Sequence, residues 1–379
     1  MRYKKRRKTK KRMLREALYG SYEYVELNAK EQRKKDKILK QRVKHLELNK
    51  NTRVADLVEA MAGMSIQARN IGQCAKVLKN MLKDKERPTV FLGLAGPLIA
   101  AGLRRVIRDL VVSGAVDVIV STGAIFYQDV YAALGYGHFI GRPNADDPTL
   151  RDLRIDRIYD TYIDEEKVWH ADQFCGEVAD KMRPGAYSSR AYMEALASKI
   201  KDEDSILYQC KKHGVPVFVP ALNDSSIGIG LTEHRVRRQR EGKPGVIIDA
   251  IQDNCEIVQI VVNSPKTAAI YVAGGVPKNY INDSIVMGYI YGQERGHDYA
   301  IQITTAVTQD GGLSSSTLSE ARSWGKVEKK ANYAMAWVEP SVSLPLLAGY
   351  VFGKRLTKRR SRLKFTWEDG NLKSLKKAS

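Results

Sequence analysis

The chain has 379 residues and a formal net charge of +20, a length that accommodates one large α/β domain or two ordinary ones. Residues 1–50 hold 19 Lys and Arg against 6 Asp and Glu, residues 351–379 hold 10 against 2, and the body between them is balanced at 34 against 35. A neutral body argues against a nucleic-acid groove built into the fold and leaves only the ends to touch phosphate or an acidic partner. Cys74, Cys175, Cys210 and Cys255 form no CxxC pair, so neither a zinc knuckle nor a disulfide framework is expected. No apolar run reaches signal-peptide or membrane-spanning length. A cytoplasmic protein without a membrane partner follows.

Three segments are expected in chain order. Residues 1–50 read as a basic N-terminal arm, helical from Glu31 to about Lys50 on the strength of charged, helix-permissive residues. Residues 51–350 read as one domain, and 351–379 as a basic C-terminal tail. Within the domain, Thr89–Gly93, an amphipathic stretch from Leu98 to Ser113, and Val116–Val120 form a β-α-β signature. Further apolar runs at Val215–Val219, Val246–Asp249, Ala268–Val272 and Tyr299–Thr304 predict strands covered on both faces, as in a Rossmann-like, mostly parallel α/β sheet with helices on both sides. Segment 141–170 reads as an excursion from that sheet. Many of the strands end in small or polar residues, and open α/β sheets bind ligands at the carboxyl ends of their strands.

Neither GxGxxG nor GxxxxGK[ST] nor HExxH occurs. His138, His170 and His213 read as surface or packing residues, and no metal site is expected. The informative stretch runs from Ser314 to Lys326 and ends Ser323-Trp324-Gly325-Lys326. Composition alone reads the Trp-Gly-Lys end as helix capping. The same residues also suit a nucleophile cradle, because an apolar aromatic wall that desolvates a lysine favours the neutral amine that attacks an imine.

Four segments resemble deoxyhypusine synthase in order and spacing: Val116–Ala124, Val219–Gly228, Gly274–Lys278 and the Ser-Trp-Gly-Lys element after Glu320. The resemblance extends from about Asn70 to Gly353. It is nearest to the bacterial-type branch through Ile158–Glu166 and Asp310–Leu318. It implies NAD as hydride carrier, a spermidine-like polyamine as donor, and Lys326 as the amine that carries the butylimine. Trp324 would line the alkyl chain and Glu320 would face an ammonium. The resemblance assigns Thr122, Gly123, Ala124, Asp224, Gly274, Gly275, Thr305, Asp310 and Ser314 to NAD. A homotetramer is implied as well.

The chain departs from the family pattern at three substrate-facing acids. Ile229 and Leu313 stand where two are expected, and the third is represented by Gln128 or its neighbour Asp129. The loop Gly93–Pro97 lacks the usual hydroxyl and amide side chains. Two acceptors are therefore compatible with the residues: the lysine of a hypusine-bearing translation factor, or a small diamine such as putrescine, as in homospermidine synthases. A catalytically inactive scaffolding paralogue whose basic tails contact RNA is a third reading. The two transfer readings turn on Lys326 lying out of solvent near a strand-end crevice, and the retained lysine argues against the third.

Overall fold

The computed structural model describes residues 27–378. The chain divides into two compact units, residues 1–44 and 45–379. In the first, a helix spans Ala29–Ile38, opened by a capping box between Asn28 and Glu31, and buries none of its residues. It ends well before Lys50, as expected of a helix that has only propensity and no packed face to sustain it. Residues 1–26 of the expected arm lie outside the described residues.

The second unit contains β1 Thr89–Leu94, β2 Val118–Ser121, β3 Phe139–Ile140, β4 Ile155–Ile158, β5 Thr161–Asp164, β6 Gly185–Tyr187, β7 Val217–Phe218, β8 Val246–Ile248, β9 Thr267–Val272, β10 His297–Ile303, β11 Val327–Ala336, β12 Leu363–Glu368 and β13 Asn371–Lys377. Six of these strands form one sheet in the order β11-β10-β9-β1-β2-β7, every neighbour parallel. Counted by appearance in the sheet this is 3-2-1-4-5-6, the doubly wound order of dinucleotide-binding folds.

Alternation along the buried strands explains the two layers of helices. Val90, Leu92, Ala268 and Ile270 point to one core, shared with helices Ile66–Lys83, Arg104–Val112 and Pro340–Gly353. Phe91, Val118, Ala269 and Tyr271 point to the other, shared with helices Ala250–Asn263 and Gly275–Val286. Strands covered on both faces read as continuous apolar runs.

Two sequence expectations change. Val246–Asp249 supplies β8, but β8 pairs with β6 in a separate two-stranded sheet, because only one of its faces is covered. The excursion 141–170 does stay off the main sheet, its β4 and β5 forming an antiparallel sheet with β3 ahead of helix Glu165–Asp180. The residues expected as a C-terminal tail fold instead as the hairpin β12-β13, whose Phe365, Trp367, Leu372 and Leu375 pack against the second core.

The hairpin is pinned by a buried ion cluster. Arg87 donates to both Asp117 oxygens at 2.7 Å, and Arg360 donates to one of them at 2.6 Å and to the Pro88 carbonyl at 2.9 Å. Burial alone would raise the Asp117 carboxyl, but the charges and hydrogen bonds of Arg360 and Arg87 outweigh it and hold the group below the usual carboxylate range. Removing the carboxylate leaves two buried guanidiniums uncompensated, so Asp117→Ala should lower stability by about 3–5 kcal/mol in chemical denaturation. The depressed value adds a sign: this contribution is complete above about pH 4 and fades as pH falls through the folded-state value. Wild type should therefore lose more of its stability on acidification than the variant does.

Candidate active site

The sheet order places a switch point between β1 and β9, since the chain runs outward through β2 and β7 and then returns to the other side of β1. Open α/β sheets hold ligands in this crevice, at the carboxyl edge. The edge is continuous: Thr122 N donates to Leu94 O at 3.1 Å, Ala95 N to Val272 O at 3.2 Å, and Ala273 N to Ile303 O at 2.8 Å. Thr122–Ala124, the 273–275 turn and the start of the 304–317 loop therefore line one rim.

Two of the turns on this rim admit no side chain. A Cβ on Gly274 would lie 2.5 Å from Ser314 Cα, and one on Gly123 would lie 2.2 Å from Ser225 Oγ. Ala273 and Gly275 both have φ of +61°, a left-handed conformation that is costly for alanine and held here by its surroundings. Those surroundings are explicit. Gly275 N donates to Ser314 Oγ at 2.9 Å, and the buried Gln302 donates to the carbonyls of Ala273 and Ser314 at 2.8 and 2.9 Å. The segment 311–317 is thus clamped onto the turn that starts helix Gly275–Val286.

Lys326 immediately precedes β11, so its backbone lies at the amino edge of the sheet, away from the rim. Its side chain reaches across to that helix, where Nζ lies 3.0 Å from Asn279 Oδ1 and 3.1 Å from Asp283 Oδ1. Asn279 and Asp283 are one turn apart on one face and bonded to each other at 2.8 Å. Only 16% of the Lys326 side chain is exposed. Asn279 and Asp283 are four and eight residues past Gly275, so the amine sits between about 6 and 12 Å along the helix axis from the glycine turn. Trp324 stands beside it, its ring centroid 5.6 Å from Nζ, with 67% of the residue exposed.

Sequence reasoning missed a second amine. Lys278 is 1% exposed, and its Nζ donates to Ser316 O at 2.5 Å, Ser316 Oγ at 2.9 Å and Leu313 O at 3.2 Å. Burial among these neutral acceptors pushes its pKa down to about 8, with the Glu320 carboxylate opposing and the Lys326 charge adding to the shift. Asn279 and Asp283 were missed as well. Their signal was the pair of polar residues at helical spacing after Gly274-Gly275-Val276-Pro277-Lys278.

The other expected residues divide. Gly274, Gly275, Ser314, Glu320, Trp324 and Lys326 belong to one neighbourhood. Glu320 closes a capping box with Thr317 and is exposed. Thr122, Gly123 and Ala124 open helix Gly123–Ala133 without a side-chain cap. Asp224 follows β7 next to Ser225, exposed, and Thr305 and Asp310 are exposed on the loop after β10.

Gln128 and Asp129 do not face the crevice. Gln128 accepts from Ala100 N at 3.1 Å. Asp129 is fully buried, paired with Arg104 at 2.7 Å, and accepts from Ser205 Oγ and the amides of Ile206 and Leu207. It caps helix Ile206–His213, which is where a carboxylate is stabilised by the first-turn amides.

Comparison with known proteins agrees with this architecture. The deoxyhypusine synthase family model matches residues 56–351. The chain belongs to the deoxyhypusine synthase family. A deoxyhypusine synthase-like protein of Chlorobaculum parvum is 44% identical over 324 residues, 84% of this chain and 91% of that one. "Probable deoxyhypusine synthase 2" of Methanosarcina acetivorans is 40% identical over 324 residues, 84% and 92% of the two chains. A crystal structure from Entamoeba histolytica, described as a deoxyhypusine synthase candidate, superposes with a TM-score of 0.57 at 18% identity over 87% of this chain and all of that one. At that identity the likeness speaks for the fold. Within this deoxyhypusine synthase fold, the hairpin β12-β13 lies beyond the matched residues.

The clamp at Gly274 is directly testable. Gly274→Ala sets a methyl against the Ser314 backbone, and overpacking of this kind costs about 1–3 kcal/mol. Denaturant titration should show that loss, and hydrogen exchange should show residues 311–317 opening faster than in wild type.

Proposed function

We propose that the chain transfers an aminobutyl group from a spermidine-like polyamine, through an imine on Lys326, to an amine acceptor, with NAD as the hydride carrier. The observation that carries this reading is a shielded Lys326 amine, held by Asn279 and Asp283 on the helix that begins at the switch point. A buried second amine lies close enough to feel its charge.

The residues present fit a dinucleotide. The sheet has the order of dinucleotide-binding folds, and Gly275, with open space where a Cβ would stand, leaves backbone open to close approach. The uncapped start of helix Gly123–Ala133 offers amides for a pyrophosphate. The start of helix Gly275–Val286 offers fewer, because the Gly275 amide already donates to Ser314 and Pro277 has no amide hydrogen. Thr122, Gly123, Ala124, Asp224, Gly274, Gly275, Thr305, Asp310 and Ser314 would hold the cofactor, with Asp224 suited to ribose hydroxyls. Bound NAD would supply reversible hydride acceptance from the donor carbon next to nitrogen.

The chain's own groups then do the rest. Lys326 adds through Nζ to the oxidised donor carbon, and the diamine portion leaves as that carbon–nitrogen bond breaks. Asn279 and Asp283 hold Nζ at a fixed place, so the amine need not be ordered during the step. Lys278 accepts and returns the proton that moves between the two nitrogens, a role suited to an amine poised near neutrality. Trp324 covers the alkyl segment, and Glu320 faces an ammonium. The acceptor amine then displaces Lys326, and the imine so formed on the acceptor becomes the aminobutyl amine on return of the hydride that the bound cofactor would hold. Homotetramer formation belongs to the same proposal, supported by the exposed apolar Ile229, Val236, Ile247 and Ile251 on and beside helix Ser226–Arg240.

Borohydride reduction during turnover with spermidine and NAD should leave a stable adduct on Lys326, found by peptide mass, and Lys326→Arg should show none and no diaminopropane release. Running the reaction with putrescine and with the hypusine-bearing factor identifies the acceptor. Absence of NAD-dependent diaminopropane release with every polyamine tried would leave the inactive-paralogue reading instead.

The pH profile tests Lys278 separately. Its pKa is lowered to about 8, so the neutral, proton-accepting form grows as pH rises through that value. The rate should climb across pH 7–9, and Lys278→Met should abolish that limb while leaving Lys326 trappable by borohydride.

A further inference from the structure

The hairpin β12-β13 packs four of its large apolar side chains on the core: Phe365, Trp367, Leu372 and Leu375 turn inward. The outward face is left to polar and cationic groups. Lys364 and Lys376 stand directly opposite each other in the register, both exposed. Like charges in that position destabilise a hairpin. Among the described residues, no carboxylate lies within ion-pair distance of Lys364, Lys376 or Lys377, or of Arg355, Lys358 and Arg359 in the approach to the hairpin, whereas Lys373 is paired with Glu368 at 2.9 Å. The frame is fixed by the Arg360–Asp117 contact and by Leu372 N donating to Gln259 Oε1 at 2.9 Å. These cations are therefore presented on a built surface, at the amino edge of the sheet, where the segments before β1 and β2 meet Arg360.

We propose that this outer face of the C-terminal hairpin docks the phosphate backbone of RNA. A net-positive, fixed face without apolar side chains suits a polyanion, since nucleic-acid interfaces are more polar and far more positively charged than protein interfaces. A protein partner needs an apolar or aromatic centre, and a membrane surface needs an apolar face turned outward to insert. Neither is available where the apolar face is already buried. Docking at this edge leaves the switch-point crevice, at the opposite, carboxyl edge of the sheet, open. The body of the chain is charge-neutral, which confines the attraction to the ends.

The test uses the full chain, a short fluorescein-labelled single-stranded RNA, and anisotropy over a range of salt concentrations. The double variant Lys364→Gln/Lys376→Gln should bind several-fold more weakly. Its log–log salt slope should fall by about 1.4, two phosphate contacts at about 0.7 each for a single strand. Its thermal stability should be unchanged or raised, because a like-charge pair has been removed. Should that variant unfold, Lys358→Gln/Arg359→Gln, outside the strands, carries the same expectation of weaker binding and a shallower slope. Unchanged affinity and slope in a folded variant overturn the proposal and assign RNA binding, if any, to residues 1–50. Displacement of the RNA by polyglutamate or by phosphatidylserine vesicles at equal charge concentration also overturns it, in favour of an acidic protein or a membrane.

Discussion

The close approach of the Ser314 backbone to Gly274 is the constraint on which the site depends. Because position 274 has no side chain, the 311–317 segment settles onto the turn after β9, and its carbonyls and hydroxyl enclose the Lys278 amine. The same segment leads directly into the short helix Leu318–Ala321 and so sets where Lys326 begins. A bulkier residue at 274 would lift the loop, open the cage and move both amines at once. The left-handed conformation at Ala273 fits this picture: strain at a strand-to-helix turn persists where surrounding contacts over-determine it.

The two lysines differ in environment although Lys278 belongs to helix Gly275–Val286 and Lys326 reaches the same helix from the residue before β11. Lys278 is enclosed by neutral oxygens, while Lys326 is held by a carboxylate and an amide. Such a division is chemically useful when one amine must be fixed in place and another must exchange a proton. The parallel sheet supplies the setting, since its strand order creates a crevice between β1 and β9 that the loops need only decorate.

The buried strands were legible because residues packed on both faces must be apolar throughout, as in Val118–Ser121 and Thr267–Val272. β11 was not, since its early residues Glu328, Lys329 and Lys330 belong to an edge strand with one wet face. The hairpin was hidden by its lysines, although Leu363, Phe365 and Trp367 alternate with period 2 and mark an apolar face; net charge masked the pattern. At the site, Gly274, Gly275, Ser314, Glu320, Trp324 and Lys326 could be collected from motifs. Lys278 closes one of those motifs and Asn279 and Asp283 follow it at helical spacing, but their roles could not be read, because burial and partner geometry decide them and neither is visible in residue type. Asp129 shows the converse: a carboxylate in the expected loop region proved to be a helix cap.

The account stands on the Lys326 amine lying beside the reactive end of a bound cofactor. A crystal structure of the chain soaked with NAD and spermidine measures this directly. The account predicts the nicotinamide ring in van der Waals reach of Lys326 Nζ, with the pyrophosphate over the Thr122–Ala124 turn. A dinucleotide bound elsewhere, with Lys326 still sealed against Asn279 and Asp283 and no polyamine carbon near it, would contradict it.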